Sequence, residues 1–324
     1  MNSFNRINYK LRPQKQIERG LIGQLLNDFS RFKATSIDYI GMGSLFFTDF
    51  LYFYKNCQLQ KMYSIEILEG KDTTFDEKKK KRFINNKPLS EIELIFESAH
   101  DAIPKIDFNN NSFIWLDYDG SFDTILIDDL EILLKTFYDQ KEFKDAIFAI
   151  SYNNFVASSY TSYRDFFPEK CEESFKDYKI TGEDYTKFTK QTYSDVALVI
   201  CEKYLLNCIE SFNLTHGRNN KLIRLSKIKY QDGTTMNTVI WALIDESQTD
   251  SDELIKVLKS SDIYTETEID LVMSAFTLFE KQQIDRCDES QLVKLLDDKG
   301  LEFEDVKKYK KYAKYIPEYT EIFV

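Results

Sequence analysis

Two glycines and a glutamate stand at the ends of neighbouring strand-like runs. Gly41 and Gly43 follow the run "IDYI" and precede an apolar helical pattern. Glycine lets a backbone turn sharply and approach a ligand closely. Glu66 ends the next run, 23 residues after Gly43, a spacing typical of an acid that accepts hydrogen bonds from ribose hydroxyls. These residues predict a site for a ribose-containing cofactor, and the missing third glycine of the dinucleotide fingerprint argues against a dinucleotide.

A second acidic group follows the apolar run "NSFIWL". Asp117, Tyr118 and Asp119 stand at its end, before Gly120. A carboxylate at this position could act as a general base within reach of a substrate hydroxyl. Asp119-Gly120 also fits an ordinary turn, so Asp117 is the stronger candidate.

Strand and helix patterns alternate from about residue 37 to residue 151. Such alternation with short connections predicts a parallel sheet that helices cover on both faces. Right-handed crossovers then bring the carboxyl ends of all the strands to one edge, where α/β proteins bind ligands. The residues that we expect at this edge are Gly41, Gly43, Glu66, Ser98, Asp117, Asp119 and Asn153.

The rest of the chain shows three further features. A helix is predicted over 12–32, a long polar insertion over 152–194, and a hairpin over 221–244 around Asp232-Gly233. Three short helices are predicted over 265–276, 288–300 and 302–316. We therefore expect a main domain over 1–245, whose insertion shapes the acceptor pocket, and a small helical appendage over 246–324.

Together these motifs resemble the class I S-adenosylmethionine (SAM)-dependent methyltransferases. The chain offers five strands and then a hairpin, and "YIGMGS", "YSIE", "FESAHDAIPKI" and "FIWLDYDG" match that family's motifs in order. More narrowly, "LRPQKQIER", "YIGMGSLFFTDF", "MYSIE" and "WLDYDG" resemble a bacterial family of O-methyltransferases linked to mobile or phage-defence gene neighbourhoods. The resemblance implies a Rossmann-like methyltransferase fold, an α/β fold with a seven-stranded, mostly parallel sheet and an antiparallel terminal hairpin.

The resemblance also implies roles for individual residues. Gly41 and Gly43, with Ser44 beside them, would contact the methionine part of SAM, and Glu66 would hold the ribose. The adenine would lie beside Ser98 and Ala99. The transfer site would contain Asp117, Tyr118 and Asp119.

The first helix carries three basic residues in the pattern RPxKxxER. Arg12, Lys15 and Arg19 are candidates for clamping an anionic substrate or closing over the cofactor, and ordinary exposed positions are the alternative. Asn153 and Asn154, after the fifth strand, are further candidates for substrate binding. Metal-dependent O-methyltransferases bind Mg²⁺ with an Asp after the fourth strand, where Asp117 or Asp119 stands here, and with an Asp-Asn pair after the fifth strand. Ser151 and Tyr152 stand where that carboxylate is wanted, so we predict no metal.

Composition narrows the function classes. The 324 residues carry a net charge of -11, which gives no general attraction to nucleic acid or anionic membranes. Five scattered cysteines and two histidines argue against a zinc site and fit reduced thiols in a bacterial cytoplasm. No apolar run is long enough to cross a bilayer.

Three hypotheses follow. The first is a SAM-dependent methyltransferase that acts on an oxygen of a small molecule or nucleotide, alone, as a homo-oligomer or with a protein partner. The second is a sensor or scaffold subunit that binds SAM or another adenosine ligand in an anti-phage defence complex. The third, a nicotinamide oxidoreductase, is disfavoured by the missing glycine and the terminal hairpin.

Overall fold

The structure is a computed structural model, and it describes residues 12–67, 73–140, 142, 144–154, 193–274, 276–288 and 300–316. Most of the predicted insertion over 152–194 therefore lies outside the described residues. The same is true of most of the helix predicted over 288–300.

One mixed sheet organises the described part of the chain. Its strands are β1 Ile37–Gly41, β2 Leu59–Ile65, β3 Ile92–Ile95, β4 Ser112–Ser121, β5 Ala146–Asn153, β6 Asn220–Asp232, β7 Thr234–Asp245 and β8 Ile269–Asp270. The order across the sheet is β3-β2-β1-β4-β5-β7-β6-β8. Strands β1 to β5 are parallel, and the β6–β7 hairpin joins β5 in antiparallel register. This is the Rossmann-like methyltransferase fold.

Helices lie between and beside these strands. They are α1 Pro13–Lys33, α2 Thr48–Asn56, α3 Thr73–Asn86, α4 Ala99–Ala102, α5 Thr124–Asp139, α6 Tyr193–His216, α7 Ser251–Lys259, α8 Leu278–Arg286 and α9 Phe303–Tyr312. Pro13 occupies the first turn of α1, where its missing N–H leaves no hydrogen bond unmade. The helix predicted over 12–32 is thus observed one residue further along.

The core lies in two layers, one on each face of the sheet. Along β4, Phe113 and Trp115 point into the layer that contains α1, whereas Ile114 and Leu116 point into the layer that contains α5 and α6. This alternation is the period of a β-strand. Because side chains on both faces are buried, the strands read as continuous apolar runs in the sequence.

The strand order reverses between β1 and β4. The chain leaves β1 towards β2 and β3 on one side, and returns to β4 and β5 on the other. Gly41, the last residue of β1, pairs with Trp115 of β4, so β1 ends two residues before the level of Asp117 and β4 continues beyond it. A crevice is expected at this switch point.

All seven predicted strands are present in the described chain, and the sheet has an eighth, β8, that was not predicted. The predicted helix over 265–276 contains β8 instead, in which Ile269 pairs in parallel with Ile228 of β6. The amide of Leu271 also donates to the carbonyl of Lys229 at 2.8 Å. A two-residue strand is too short to show a period of two in the sequence. It covers an edge of β6 that would otherwise expose unpaired backbone groups.

Residues after the hairpin pack on the same core. Leu254 and Leu258 of α7 are fully buried in the layer that contains α1. Tyr315 donates a 2.6 Å hydrogen bond from its hydroxyl to Gln24 of α1. The helix predicted over 302–316 is observed as α9, and the domain boundary at residue 245 stays a prediction. None of the helices in the described ranges is both long and apolar enough to cross a membrane.

Candidate active site

A pocket of about 420 Å³ opens at the carboxyl edge, beside the point where the strand order reverses. That volume is within the range of pockets that hold small molecules. Eight residues singled out from the sequence line it, contributed by the ends of four strands and the turns that follow: Gly43, Ser44, Glu66, Ser98, Ala99, Asp117, Tyr118 and Asp119.

The turn needs glycine at two positions because a side chain would have no room there, and not because the backbone has unusual dihedral angles. Neither Gly41 nor Gly43 has a positive φ, and the residue with left-handed geometry before α2 is Phe47, with φ 46°. A Cβ on Gly41 would lie 2.7 Å from Cζ of Tyr39. A Cβ on Gly43 would overlap the hydroxyl of Ser64 and lie 2.6 Å from Oε1 of Glu66. The protein's own side chains therefore require both glycines.

Glu66 is a buried carboxyl group at the wall of the pocket, with 6% of its surface exposed. Ser64 donates a hydrogen bond of 2.8 Å to Oε1. Burial raises the pKa of Glu66 well above its usual value, and hydrogen bonds from Ser64 and the Gly43 amide together with the charge of Lys79 only partly oppose this shift. Glu66 is thus held as an acceptor directly under the glycine turn.

The end of β4 presents Asp117, Tyr118 and Asp119 in different surroundings. The side chain of Asp117 is 21% exposed, and its Oδ1 accepts a 3.0 Å hydrogen bond from Lys15. The hydroxyl of Tyr118 donates to Asp129 of α5. Burial is the main cause that raises the pKa of Tyr118 well above its usual value, and the charge of Asp129 adds to it. Asp119 is exposed at the pocket's edge. Asp117 is thus held by an ammonium group, and Tyr118 is held by a carboxyl group.

Lys15 and Arg19 lie beneath the pocket rather than in it. Each side chain is only 1% exposed, so neither reaches the cavity as a substrate clamp would. Lys15 pairs with Asp117, and Arg19 donates to Asp49 of α2, which lines the pocket. Arg12 is the residue before α1, is half-buried, and does not line this pocket.

Asn153 and Asn154 also lie apart from the pocket lining. The hydroxyl of Thr234 donates to Oδ1 of Asn153 at 3.1 Å, and Nδ2 of Asn237 donates to Oδ1 of Asn154 at 3.0 Å. Both asparagines thus connect the end of β5 to the hairpin.

Thr48 and Asp49 open α2 and line the pocket, and neither was among the candidates predicted from the sequence. The hydroxyl of Thr48 is buried and has no hydrogen-bond partner among the described residues. A Thr-Asp pair just after a glycine turn is a helix-start signal that could have identified them. An unpaired buried hydroxyl beside a cavity fits a hydrogen bond to a ligand.

The lining is strongly acidic. Its carboxylates come from Asp49, Glu66, Glu97, Asp117, Asp119 and Asp129. Within the ranges that the structure describes, no group of three or more His, Cys, Asp or Glu residues is placed to hold a metal ion.

The fold and the pocket at its switch point define the protein as a class I methyltransferase. The sequence model of one protein family, described as "Putative O-methyltransferase", matches residues 7–324, and the chain belongs to that family. The match covers nearly the whole chain, so methyl transfer is the activity of its class. A comparison with curated proteins found no match.

Solved structures give weaker similarities. An O-methyltransferase from Bacillus cereus in complex with SAH is 13% identical, with 74% of this chain and 85% of that chain covered and a TM-score of 0.35. The O-methyltransferase TomG from Streptomyces achromogenes, in complex with SAM, is 12% identical over 74% and 91%, with a TM-score of 0.33. An SAH-bound methyltransferase from Podospora anserina is 12% identical over 65% and 74%, with a TM-score of 0.31. Because these identities and TM-scores are low, the assignment to the methyltransferases rests on the family match.

Proposed function

We propose that the pocket binds SAM and that the protein transfers its methyl group to an oxygen atom of a small molecule or nucleotide. The observation that carries this proposal is the meeting of Glu66, the glycine turn and Asp117 in one pocket at the switch point. Membership in the O-methyltransferase family supports the choice of reaction.

The residues present fit the cofactor. A buried carboxyl acceptor at Glu66 suits the two hydroxyls of a ribose. Gly43 and Ser44 would lie along the methionine part, and Ser98 and Ala99 beside the adenine. The hydroxyl of Thr48, which has no partner among the described residues, would supply one further hydrogen bond to SAM in the same cavity. Gly41 does not line the cavity, and its proposed role is to leave space for Tyr39.

SAM would supply a methyl group activated by its positive sulfonium. The protein's part in such a transfer is mainly alignment and proximity, so little covalent machinery is needed. Lys15 donates to Oδ1 of Asp117, and Asp117 accepts no other hydrogen bond among the described residues. Oδ2 is therefore the atom that would accept the proton of the acceptor hydroxyl as a general base.

Two measurements test this function. Thermal unfolding should shift upward with SAM or S-adenosylhomocysteine, and stay unchanged with NAD, because a ligand that binds only the folded state stabilises it. Initial rates of transfer from labelled SAM into low-molecular-mass cell extract should then fall at least about 100-fold in Asp117→Asn. The affinity for S-adenosylhomocysteine should change far less. No thermal shift with either SAM compound, or a wild-type protein that transfers nothing, would refute the proposal.

A further inference from the structure

Lys15 is a buried ammonium group surrounded by three oxygen atoms. Nζ lies 3.0 Å from Oδ1 of Asp117, 3.0 Å from Oη of Tyr230 and 3.0 Å from Oε2 of Glu18. The ring of Trp115 lies 4.5 Å away, which adds a cation–π contact. Asp117 and Tyr230 accept hydrogen bonds from Nζ, and Glu18 balances its charge as an ion pair. With 1% of its side chain exposed, the ammonium does not reach the pocket.

Asp117 is the one member of this group that lines the pocket. Glu18 lies in α1 and has no exposed surface. Tyr230 lies in β6, which packs against α1, and is 1% exposed. The ammonium therefore joins α1, the hairpin strand β6 and the end of β4 at a single point. A buried charge costs several kcal/mol of desolvation before its partners offset it, so packing alone does not explain a lysine here.

The surroundings keep this group charged and fixed. Burial opposes the charge of Lys15, but Asp117 and Glu18 together raise its pKa well above the usual value. Burial also raises the pKa of Glu18, and the charge of Lys15 is the largest effect that opposes this shift. Lys15 and Glu18 are therefore two buried groups of opposite charge that hold each other beside Asp117.

We propose that Lys15 is a positioning residue that acts on methyl transfer through Asp117, by holding Oδ1 so that Oδ2 faces the acceptor. This inference rests on the proposed function. It replaces the prediction that Lys15 clamps an anionic substrate, because the ammonium is buried and is paired with Asp117.

The same helix offers a matched control. Lys33 also has a buried ammonium, 9% exposed, and pairs at 2.7 Å with Asp145, whose side chain is 1% exposed. Asp145 immediately precedes β5, at the opposite edge of the sheet from the pocket. Lys33→Met therefore removes a buried ion pair of α1 without touching Asp117.

The test is a double-mutant cycle on the full chain. Wild type, Lys15→Met, Asp117→Asn and the double variant are compared by initial rate of transfer from labelled SAM into low-molecular-mass cell extract. Dissociation constants for S-adenosylhomocysteine are measured in parallel. We expect Lys15→Met to lower the rate about 100-fold, the loss that a displaced catalytic group causes, and to change cofactor affinity less than about threefold. The double variant should be no slower than Asp117→Asn, because both changes remove the same function.

Lys33→Met should keep close to the wild-type rate. If Lys15→Met does not fold, Tyr230→Phe removes one of the three oxygens and keeps both ion pairs. It should slow transfer severalfold in the wild-type background and have no effect beside Asp117→Asn.

A wild-type rate in Lys15→Met, or rate losses that multiply in the double variant, would overturn the positioning role while leaving the proposed function intact. For Tyr230→Phe, an equal loss in both backgrounds would do the same. If the wild-type protein binds neither SAM nor S-adenosylhomocysteine, or transfers nothing, the proposed function fails and this inference falls with it.

Discussion

Replacing Gly43 with alanine tests whether the glycine turn and Glu66 form one unit. The added Cβ would overlap Oγ of Ser64 and lie 2.6 Å from Oε1 of Glu66. Ser64 has no exposed surface, so it has little room to move, and the carboxyl group of Glu66 must shift instead. Extra atoms in a packed interior typically cost about 1–3 kcal/mol, and we expect about 2 kcal/mol here.

The same displacement should weaken cofactor binding. A hydrogen bond contributes about 0.5–1.5 kcal/mol, so loss of the two from the ribose hydroxyls to a misplaced Glu66 should lower the affinity for S-adenosylhomocysteine on the order of 10-fold. Urea unfolding measures the first effect, and titration calorimetry measures the second. Removing Oγ of Ser64 makes space, so the double variant Gly43→Ala/Ser64→Ala should be more stable than the two single changes predict when added.

Two other glycines separate stability from binding. Gly120→Ala should change neither property, because nothing lies within 4 Å of the added Cβ. Gly41→Ala should destabilise the fold through contact with Tyr39, yet leave Glu66 in place. Unchanged affinity in Gly43→Ala, or an equal loss of affinity in Gly41→Ala, would show that Glu66 is not the group that the turn serves.

Three further predictions concern buried acids and their partners. Because burial raises the pKa of Glu66, the folded state holds the proton of this carboxyl group more tightly than the unfolded state does. Stability therefore falls as the pH rises from the pKa of Glu66 in the unfolded state to its pKa in the folded state. Glu66→Gln should therefore be more stable than wild type at neutral pH, by on the order of 1 kcal/mol, with a flatter pH dependence in urea titrations. Lys33→Met should lower the free energy of unfolding by about 3 kcal/mol in urea titrations, because Asp145 stays buried without the ammonium of Lys33. A decrease smaller than the error of the titration would contradict this prediction. Tyr118→Phe should lower stability by about 1.5–3 kcal/mol because Asp129 loses a hydrogen-bond donor, and an unchanged midpoint would argue against that bond.

The alternation of strands and helices could be predicted from the sequence because both layers of the core leave a strong pattern. Buried strands such as β4 read as apolar runs, and α1 shows Ile17, Leu21 and Leu25 at helical spacing. The β6–β7 hairpin was predicted from Asp232-Gly233, and Gly233 does adopt a positive φ of 75°. By contrast, β8 is defined by its pairing with β6 and has no local pattern of its own.

The order of strands and helices predicted that the site residues lie at one edge of the sheet. It did not predict which side chains are in contact there. A glycine in a sequence does not say which atom occupies the space that its missing side chain leaves. At Gly41 that atom belongs to Tyr39, and at Gly43 it belongs to Ser64 and Glu66. The basic residues of α1 show the same limit, because charge usually indicates an exposed face. Lys15 and Arg19 are buried since partners distant in sequence, Asp117 and Asp49, balance their charges.

The most direct test of the account is a crystal structure of the protein soaked with S-adenosylhomocysteine. We expect the ligand to fill the pocket at the switch point, with both ribose hydroxyls donating to the carboxyl group of Glu66. The sulfur atom should lie on the side of the pocket lined by Asp117. A ligand bound elsewhere on the chain, or a ribose that makes no contact with Glu66, would contradict it.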